Sequence, residues 1–177
     1  TLTTAQWMVD IVAGDRHSCV LKADGGIVCW GSNGSGQLDT PAGIFKQISS
    51  GNEHTCALAT NGTISCWGDV DHSLDSSGPY VEVGAGDDHV CGVTDSGQLR
   101  CEDGPDDYRW WQYGEVEEHV DTIDVGNWYG GCAVMDDGSL QCWGWPTYGM
   151  GTVPTGEFEK VAVGQDHACA LRVSGEL

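Results

Sequence analysis

The nine cysteines of this 177-residue chain are the residues whose spacing carries the clearest chemistry. Eight of them form four pairs with partners ten positions apart: Cys19 and Cys29, Cys56 and Cys66, Cys91 and Cys101, and Cys132 and Cys142. In each pair a glycine follows the first cysteine by six positions, at Gly25 in the first pair. A glycine at this place suits a three-residue hairpin loop, and residues equidistant from such a loop lie close enough for a disulfide. The spacing therefore predicts four β-hairpins, each closed by a disulfide.

Zinc binding is the alternative role for paired cysteines. Structural zinc sites favour shorter spacings, such as Cys-x2-Cys, and the sequence offers no set of four converging ligands. Disulfides are therefore the better interpretation, and they indicate an oxidising, extracellular or secreted location. Each would close a loop of about eleven residues and stabilise the fold by about 2–3 kcal/mol. The ninth cysteine, Cys169, would pair with position 179, so we expect it to be unpaired in this chain, which ends at Leu177.

The hairpins belong to a unit that occurs five times, at residues 17–31, 54–68, 89–103, 130–144 and 167–177. Apolar residues six and three positions before a glycine, such as Met8 and Ile11 before Gly14, predict one inner strand in each unit. The stretch Gly36-Gln37-Leu38 after the first hairpin predicts a fourth strand. Four strands in a period of 35 to 41 residues are typical of β-propeller blades. The predicted fold class for residues 1–177 is therefore all-β, a single propeller or part of one, with the last unit incomplete.

Charge and composition argue against two classes of partner. Lysine and arginine total 7 and aspartate and glutamate 27, which gives a formal net charge of −20. Nucleic-acid binding needs a basic face, and anionic membranes repel a chain of this charge. No apolar run is long enough to cross a membrane. We therefore expect no nucleic-acid partner and no membrane insertion.

Histidines recur at one position of the unit, at His17, His54, His89 and His167. Equivalent positions of neighbouring blades lie farther apart than metal–ligand bonds allow, so we expect structural histidines bonded to neighbouring backbone and no metal ring. The acidic stretches Asp87-Asp88, Asp136-Asp137 and Asp69-Val70-Asp71 lack the full ligand pattern of a calcium loop and are interpreted as turn residues. The sequence shows no nucleophile–base motif and no phosphate-binding glycine loop, so it predicts no catalytic residues and no cofactor.

The first unit reads Gly-x-x-His-x-Cys, then Asp-Gly, then Cys-Trp-Gly-x-Asn-x-x-Gly-Gln-Leu. This pattern resembles the repeat of the regulator-of-chromosome-condensation family. The match is carried by Gly14, His17, Gly25, Trp30, Gly31, Asn33, Gly36 and Gln37. The cysteine pair is similar to that of secreted members, and the short period is similar to that of the seven-bladed β-lactamase-inhibitor propeller. The resemblance implies a propeller, and because the last unit is incomplete we expect the chain to be a fragment of a longer one. The family's nucleotide exchange on a small GTPase has no assignable residue here.

Departures from the repeat locate the candidate partner-binding residues. The aromatic residues Trp110, Trp111, Tyr113, Trp128 and Tyr129 lie in irregular segments and do not recur, whereas Trp30, Trp67 and Trp143 recur and are expected to pack inside blades. Loop aromatics stack on a sugar or anchor a protein partner, and packing within a longer insertion is the alternative. The resemblance to the inhibitor propeller, whose equivalent loop carries aromatic contacts, favours protein recognition by Trp128 and Tyr129.

Two sequons, Asn33-Gly34-Ser35 and Asn61-Gly62-Thr63, are candidate N-glycosylation sites or plain turn residues. Taken together, these features favour a secreted, non-catalytic propeller that recognises a protein or glycan partner or serves as an extracellular scaffold. One alternative is a carbohydrate-binding or inhibitor-like module that uses the loop aromatics. Another is a subunit of a head-to-tail homo-oligomer or fibre that joins through the incomplete last unit.

Overall fold

The computed structural model describes residues 7–70, 74, 79–87, 89–102, 119–126, 130–144, 153–164 and 167–176. These residues form fourteen strands in five antiparallel sheets. Sheet 1 contains β1 (Met8–Ala13), β2 (His17–Lys22) and β3 (Ile27–Gly31), and sheet 2 contains β4 (Phe45–Ser50), β5 (His54–Ala59) and β6 (Ile64–Gly68). Sheet 3 contains β7 (Tyr80–Ala85), β8 (Val90–Thr94) and β9 (Leu99–Glu102), and sheet 4 contains β10 (Val120–Val125), β11 (Gly131–Met135) and β12 (Leu140–Trp143). Sheet 5 pairs β13 (Phe158–Val163) with β14 (Ala168–Arg172), and no helix that could cross a membrane occurs in these ranges.

A tight turn sets the register of each hairpin. In sheet 1 the Lys22 N–H donates to the Gly26 carbonyl and the Gly25 N–H donates to the Lys22 carbonyl, both at 2.9 Å. Gly25 has a φ of 82°, in the left-handed region that favours glycine, as a type I turn with a bulge requires. This register places Cys19 opposite Cys29, with their Cα atoms 4.1 Å apart and their sulfurs bonded. The other three cysteine pairs are joined in the same way, and Cys169 is free and exposed.

Among the described residues each complete sheet has three strands, not four. The residues expected to form a fourth strand in the first unit, Gly36–Leu38, form turns. Asn33 Oδ1 accepts from the Leu38 N–H at 2.8 Å, and Gln37 Oε1 accepts from the Ser35 N–H at 2.9 Å. Side chains therefore satisfy backbone donors that strand pairing would use, while the Gln37 carbonyl accepts from the indole of Trp67 at 2.9 Å. The prediction of a fourth strand is wrong for this segment.

The hydrophobic core lies between successive sheets. Between sheets 1 and 2, Cys19 and Leu21 of the hairpin pack in one cluster with Phe45, Ile48 and Trp67 of the next sheet. The equivalent clusters contain Cys56, Leu58, Tyr80 and Val83 between sheets 2 and 3, and Cys91, Val93, Val120, Ile123 and Trp143 between sheets 3 and 4. Each disulfide-closed hairpin thus covers the inner strand of the sheet that follows it.

The face of sheet 1 that points away from sheet 2 is apolar and exposed. Met8 and Ile11 occupy the positions of Phe45 and Ile48 in sheet 2, yet they are 68% and 65% exposed compared with 5% and 3%. Trp30, on the same face, is 48% exposed. In sheet 2 this face is covered by the hairpin of the preceding sheet, and the described residues provide no such hairpin for sheet 1.

Candidate functional site

The irregular segments of the chain leave from one end of the sheets. At this end the first strand of a sheet meets the second through a short loop, closed in sheet 1 by a hydrogen bond from the Gly14 N–H to the His17 carbonyl. Equivalent bonds join Gly51 to His54, Gly86 to His89, Gly126 to Gly130 and Gly164 to His167. The linker after β3 also begins here, because the Ser32 N–H donates to the Arg16 carbonyl. We call these loops and linker starts the loop end, and the opposite end, with hairpin turns such as residues 23–26, the turn end.

The loop end contains a pocket of about 270 Å³. It is lined by Asp15, Asn52, Glu53, Asp69 and Asp87, which come from the first three repeats. The Asp15 N–H donates to the Asn52 carbonyl at 3.0 Å, so the first two loops are joined directly. The lining is anionic and attracts positively charged groups of a partner. Within the described ranges no group of three or more histidine, cysteine or acidic side chains is arranged to hold a metal ion.

The acidic stretches that the sequence assigns to turns are divided between the two ends. Asp137 Oδ1 accepts from the Ser139 N–H at 2.9 Å in a turn-end hairpin, and hydrogen bonding by Ser139 lowers the pKa of that carboxyl. Asp69 and Asp87 lie in bends at the loop end, where they also line the pocket. Asp71 and Asp88 lie outside the described residues. The described members of the set therefore lie in turns or bends, and two of them also line the pocket.

Three of the recurring histidines are buried beside the loop end. His17, His54 and His89 are 3%, 2% and 0% exposed, whereas His167 is exposed. His17 Nε2 forms hydrogen bonds with Thr55 Oγ1 at 2.7 Å and with Ser50 Oγ at 3.1 Å. The expectation of a backbone partner is wrong for His17, because both partners are hydroxyl groups of the next sheet. This histidine connects sheet 1 to sheet 2.

The contact between His17 and Ser50 brings together a nucleophile and a base that sequence reasoning missed. The two residues are 33 positions apart and meet only because two sheets pack together. Nucleophilic catalysis by such a pair requires a third group that orients the other ring nitrogen. His17 Nδ1 has no hydrogen-bond partner among the described residues, and burial lowers the pKa of the ring, an effect partly opposed by Glu53. In the structure the pair forms a buried connection between sheets 1 and 2.

Polar side chains on the inner strands join consecutive sheets. Gln47 accepts from the Val83 N–H at 3.1 Å and donates to the Val83 carbonyl at 3.3 Å, which connects sheets 2 and 3. The Thr122 hydroxyl of sheet 4 donates to Glu82 Oε1 of sheet 3 at 2.7 Å. Asp124 of sheet 4 accepts from a backbone N–H of sheet 5 at 2.6 Å. Together with the buried histidines, these bonds fix consecutive sheets, and the loops at their ends, relative to one another. Sequence reasoning missed them, although polar residues at alternate positions of the inner strands are a visible signal.

We predict that the protein loses stability on acidification. Burial, followed by the charge of nearby His54, lowers the pKa of His89 from 6.5 to about 4. The unfolded chain then binds a proton that the folded chain excludes, so the free energy of unfolding falls by about 2 kcal/mol between pH 7 and pH 5. Burial raises the pKa of Glu82 and Asp124, whose protonation works in the opposite direction and offsets part of the loss.

Urea unfolding followed by tryptophan fluorescence at pH 7, 6 and 5 measures this pH dependence. The variant His89→Gln cannot bind the proton, so its stability is expected to change less over the same interval than that of the wild type. An unchanged pH slope in this variant would show that His89 is not the group responsible.

All five candidate aromatic residues lie outside the described residues: Trp110, Trp111, Tyr113, Trp128 and Tyr129. The neighbouring described residues show where their segments start. Gly126 and Gly130, on either side of residues 127–129, are joined by a 2.8 Å backbone hydrogen bond at the loop end. Glu102, which precedes residues 103–118, pairs with Val90 at the loop end of sheet 3. The described residues that flank both aromatic segments therefore lie at the loop end.

A match to a known repeat family is found in the first two sheets. The model of the regulator of chromosome condensation (RCC1) repeat matches residues 8–37 and 45–73. These two segments are therefore RCC1-type repeats, in the variety that carries a cysteine pair in its hairpins. No curated protein sequence matches the chain.

Solved structures with the same arrangement of sheets include two receptor-kinase ectodomains. The CRINKLY WD40 ectodomain of the Arabidopsis thaliana receptor kinase ACR4 is 25% identical, with a TM-score of 0.76 over 94% of this chain and 59% of that one. The ectodomain of the Physcomitrella patens receptor kinase CR4 is 22% identical, with a TM-score of 0.79 over 94% of this chain and 49% of that one. Yeast RCC1 (Prp20), in its complex with Kap60, is 17% identical, with a TM-score of 0.70 over 95% of this chain and 54% of that one.

These likenesses show that the five sheets are arranged as in β-propellers. The chain spans between 49% and 59% of the length of the three structures, so their complete activities do not transfer to it. The disulfides and the likeness to two ectodomains indicate an oxidising, extracellular location.

Proposed function

We propose that this protein is a secreted, non-catalytic interaction domain that binds a protein partner through its loop end. The proposal rests on one observation. Loops from successive repeats come together at one end of sheets whose hairpins are closed by disulfides. Variable loops on a rigid scaffold are a common arrangement for recognition. The pocket at this end draws its lining from three repeats, so a partner would contact several loops at once.

The chemistry of the loop end supports a protein partner with a basic surface. The carboxylates of Asp15, Glu53 and Asp87 line the pocket and favour positively charged groups, mainly by accelerating association at low salt. Trp128 and Tyr129 lie in sequence between two glycines of the loop end and would add aromatic anchors. Aromatic anchors within a polar rim are typical of protein interfaces.

We predict that replacement of Trp128 and Tyr129 by alanine weakens partner binding by about tenfold or more without lowering the thermal midpoint. Because the natural partner is unidentified, the probe is a set of peptides selected on the wild-type protein from a random phage-displayed library. Their affinities for wild type and variant are compared by biolayer interferometry at two salt concentrations. The matched control, Asp24→Asn with Asp137→Asn, removes charge at the turn end while keeping the oxygens that accept from Gly26 and Ser139.

Equal binding to the wild type and to the aromatic variant, or a larger loss in the turn-end control, would contradict the proposal. A glycan array probed with the same proteins separates the two partner classes. Glycan binding that disappears in the aromatic variant would replace a protein partner by a sugar at the same loops.

A head-to-tail assembly of copies is the second candidate, and it rests on the exposed face of sheet 1. Asp10 in β1 and Lys160 in β13 occupy the same inner-strand position as Glu82 and Thr122, which are hydrogen-bonded across two sheets. A second copy stacked on the first would therefore place opposite charges together. We predict that sedimentation velocity then shows mass increasing with protein concentration, and that Asp10→Lys reduces the association. A constant monomer mass over the concentration range would exclude this candidate.

A further inference from the structure

We infer that Asn61, and not Asn33, accepts an N-linked glycan when the chain passes through a eukaryotic secretory pathway. Both residues are exposed and stand in Asn-x-Ser/Thr sequons. The structure holds their carboxamides differently and places them at opposite ends of the sheets. The inference rests on the proposed secretion of the chain but not on its proposed partner binding.

Asn61 lies in the turn between β5 and β6, and its carboxamide oxygen is engaged by its own sequon. Asn61 Oδ1 accepts from the Thr63 N–H at 3.1 Å and from the Thr63 hydroxyl at 2.8 Å. Nδ2, the atom that receives the sugar, makes no hydrogen bond to the described residues. Donation by the hydroxyl polarises the carboxamide, which favours loss of a proton from Nδ2.

The transfer forms a bond between Nδ2 and the anomeric carbon of an oligosaccharide carried on a lipid pyrophosphate. The bond between that carbon and the pyrophosphate oxygen breaks, Nδ2 loses one proton, and the lipid pyrophosphate leaves with the electron pair. No oxidation or reduction takes place. This chain contributes Asn61 Nδ2, which makes no hydrogen bond to the described residues, and the Thr63 hydroxyl, which polarises the carboxamide.

Asn33 uses both halves of its carboxamide to hold the linker after β3. Its Oδ1 accepts from the Leu38 N–H at 2.8 Å, and its Nδ2 donates to Asp39 Oδ1 at 3.3 Å. The hydroxyl of Ser35, the third residue of the sequon, donates to Glu53 Oε2 at 3.1 Å and not to Asn33. Transfer of a sugar to Asn33 would therefore have to break the contact with Asp39, and it lacks the hydroxyl contact found at Asn61.

The two sequons lie at opposite ends of the sheets, so a glycan on one or the other would affect partner binding differently. The bond between Ser35 and Glu53 places the Asn33 sequon beside the loop-end pocket, where a glycan would obstruct a partner. Asn61 lies at the turn end, separated from the loops by the length of β5, about 20 Å at 3.3 Å per residue. A glycan on Asn61 would leave the loop end open.

The test is expression of the chain behind a signal peptide in cultured mammalian cells, with site occupancy measured on total cellular and secreted chain by glycopeptide mass spectrometry. We expect Asn61 to be glycosylated and Asn33 to remain unmodified. Thr63→Ala should abolish the modification. The matched change Ser35→Ala should not affect glycosylation, so the intact mass should differ from that of the wild type only by the substitution. Asp39→Ala, which releases Asn33 Nδ2, is expected to raise occupancy at Asn33.

Occupancy at Asn33 equal to or above that at Asn61, or no glycan at either site, would overturn the inference. Both results would leave the loop-end binding proposal intact, because peptide affinities are measured separately on glycosylated and enzymatically deglycosylated protein. If the inference is correct, removal of the glycan should leave those affinities unchanged, whereas a loss or gain of binding would contradict the position assigned to it.

Discussion

Joint replacement of Cys91 and Cys101 by alanine is expected to lower the free energy of unfolding by about 3–4 kcal/mol. The disulfide closes a hairpin with a sequence separation of 10, and its removal restores conformational freedom to the unfolded chain. Cys91 is also fully buried in the cluster that contains Val120 and Ile123 of the next sheet, so truncation leaves a gap between the two sheets. The effect therefore combines chain entropy with lost packing.

Urea unfolding under non-reducing conditions measures this loss. The matched control is Cys169→Ala, which removes a free and exposed cysteine and is expected to change stability by less than about 0.5 kcal/mol. Equal stability of the two variants would show that the hairpin disulfides contribute little and that the inter-sheet core alone supports the fold.

Gly51→Ala is expected to destabilise the protein by about 3 kcal/mol. A methyl group at this position would collide with the carbonyl oxygen of Gly86 in the next repeat and with the ring of His54. The carbonyl is main chain and the ring is buried, so neither can move without separating sheets 2 and 3. The same close approach occurs between Gly14 and Gly51. These glycines therefore permit adjacent repeats to pack closely beside the loop end.

The control for this variant is Gly34→Ala, where a methyl group would meet only Ser32 Oγ, at 3.9 Å. Its effect is expected to lie within about 0.5 kcal/mol of zero. Thermal unfolding by circular dichroism compares the two variants. A midpoint for Gly51→Ala that matches the control would refute the proposed close packing of repeats at this glycine.

The hairpins were predictable because their determinants are local. A cysteine spacing of ten and a glycine six positions after the first cysteine are sufficient to place a turn and a register, as at Cys19 and Gly25. The RCC1-type repeat was recognisable for the same reason, since its matching residues lie within one unit. The fourth strand failed because Asn33 and Gln37 bind the backbone of their own linker, and strand propensity does not account for such side-chain competition.

The contacts that build the loop end were not predictable from one repeat. The hydrogen bond between His17 and Thr55 joins residues 38 positions apart, and the bond between Glu82 and Thr122 joins residues 40 apart. Both depend on how one sheet is offset against the next, and no local pattern encodes that offset. The acidic pocket has the same origin, because Asp15 and Asp87 become neighbours only when three repeats are stacked.

Hydrogen–deuterium exchange with and without a peptide selected on the protein shows whether the loop end is the binding surface. We expect slower exchange in the complex at residues 14–17, 51–54 and 126–131, and unchanged exchange at the hairpin turns of residues 23–26, 60–63 and 136–139. Slower exchange confined to those turns, with the loop end unaffected, would contradict binding at the loop end.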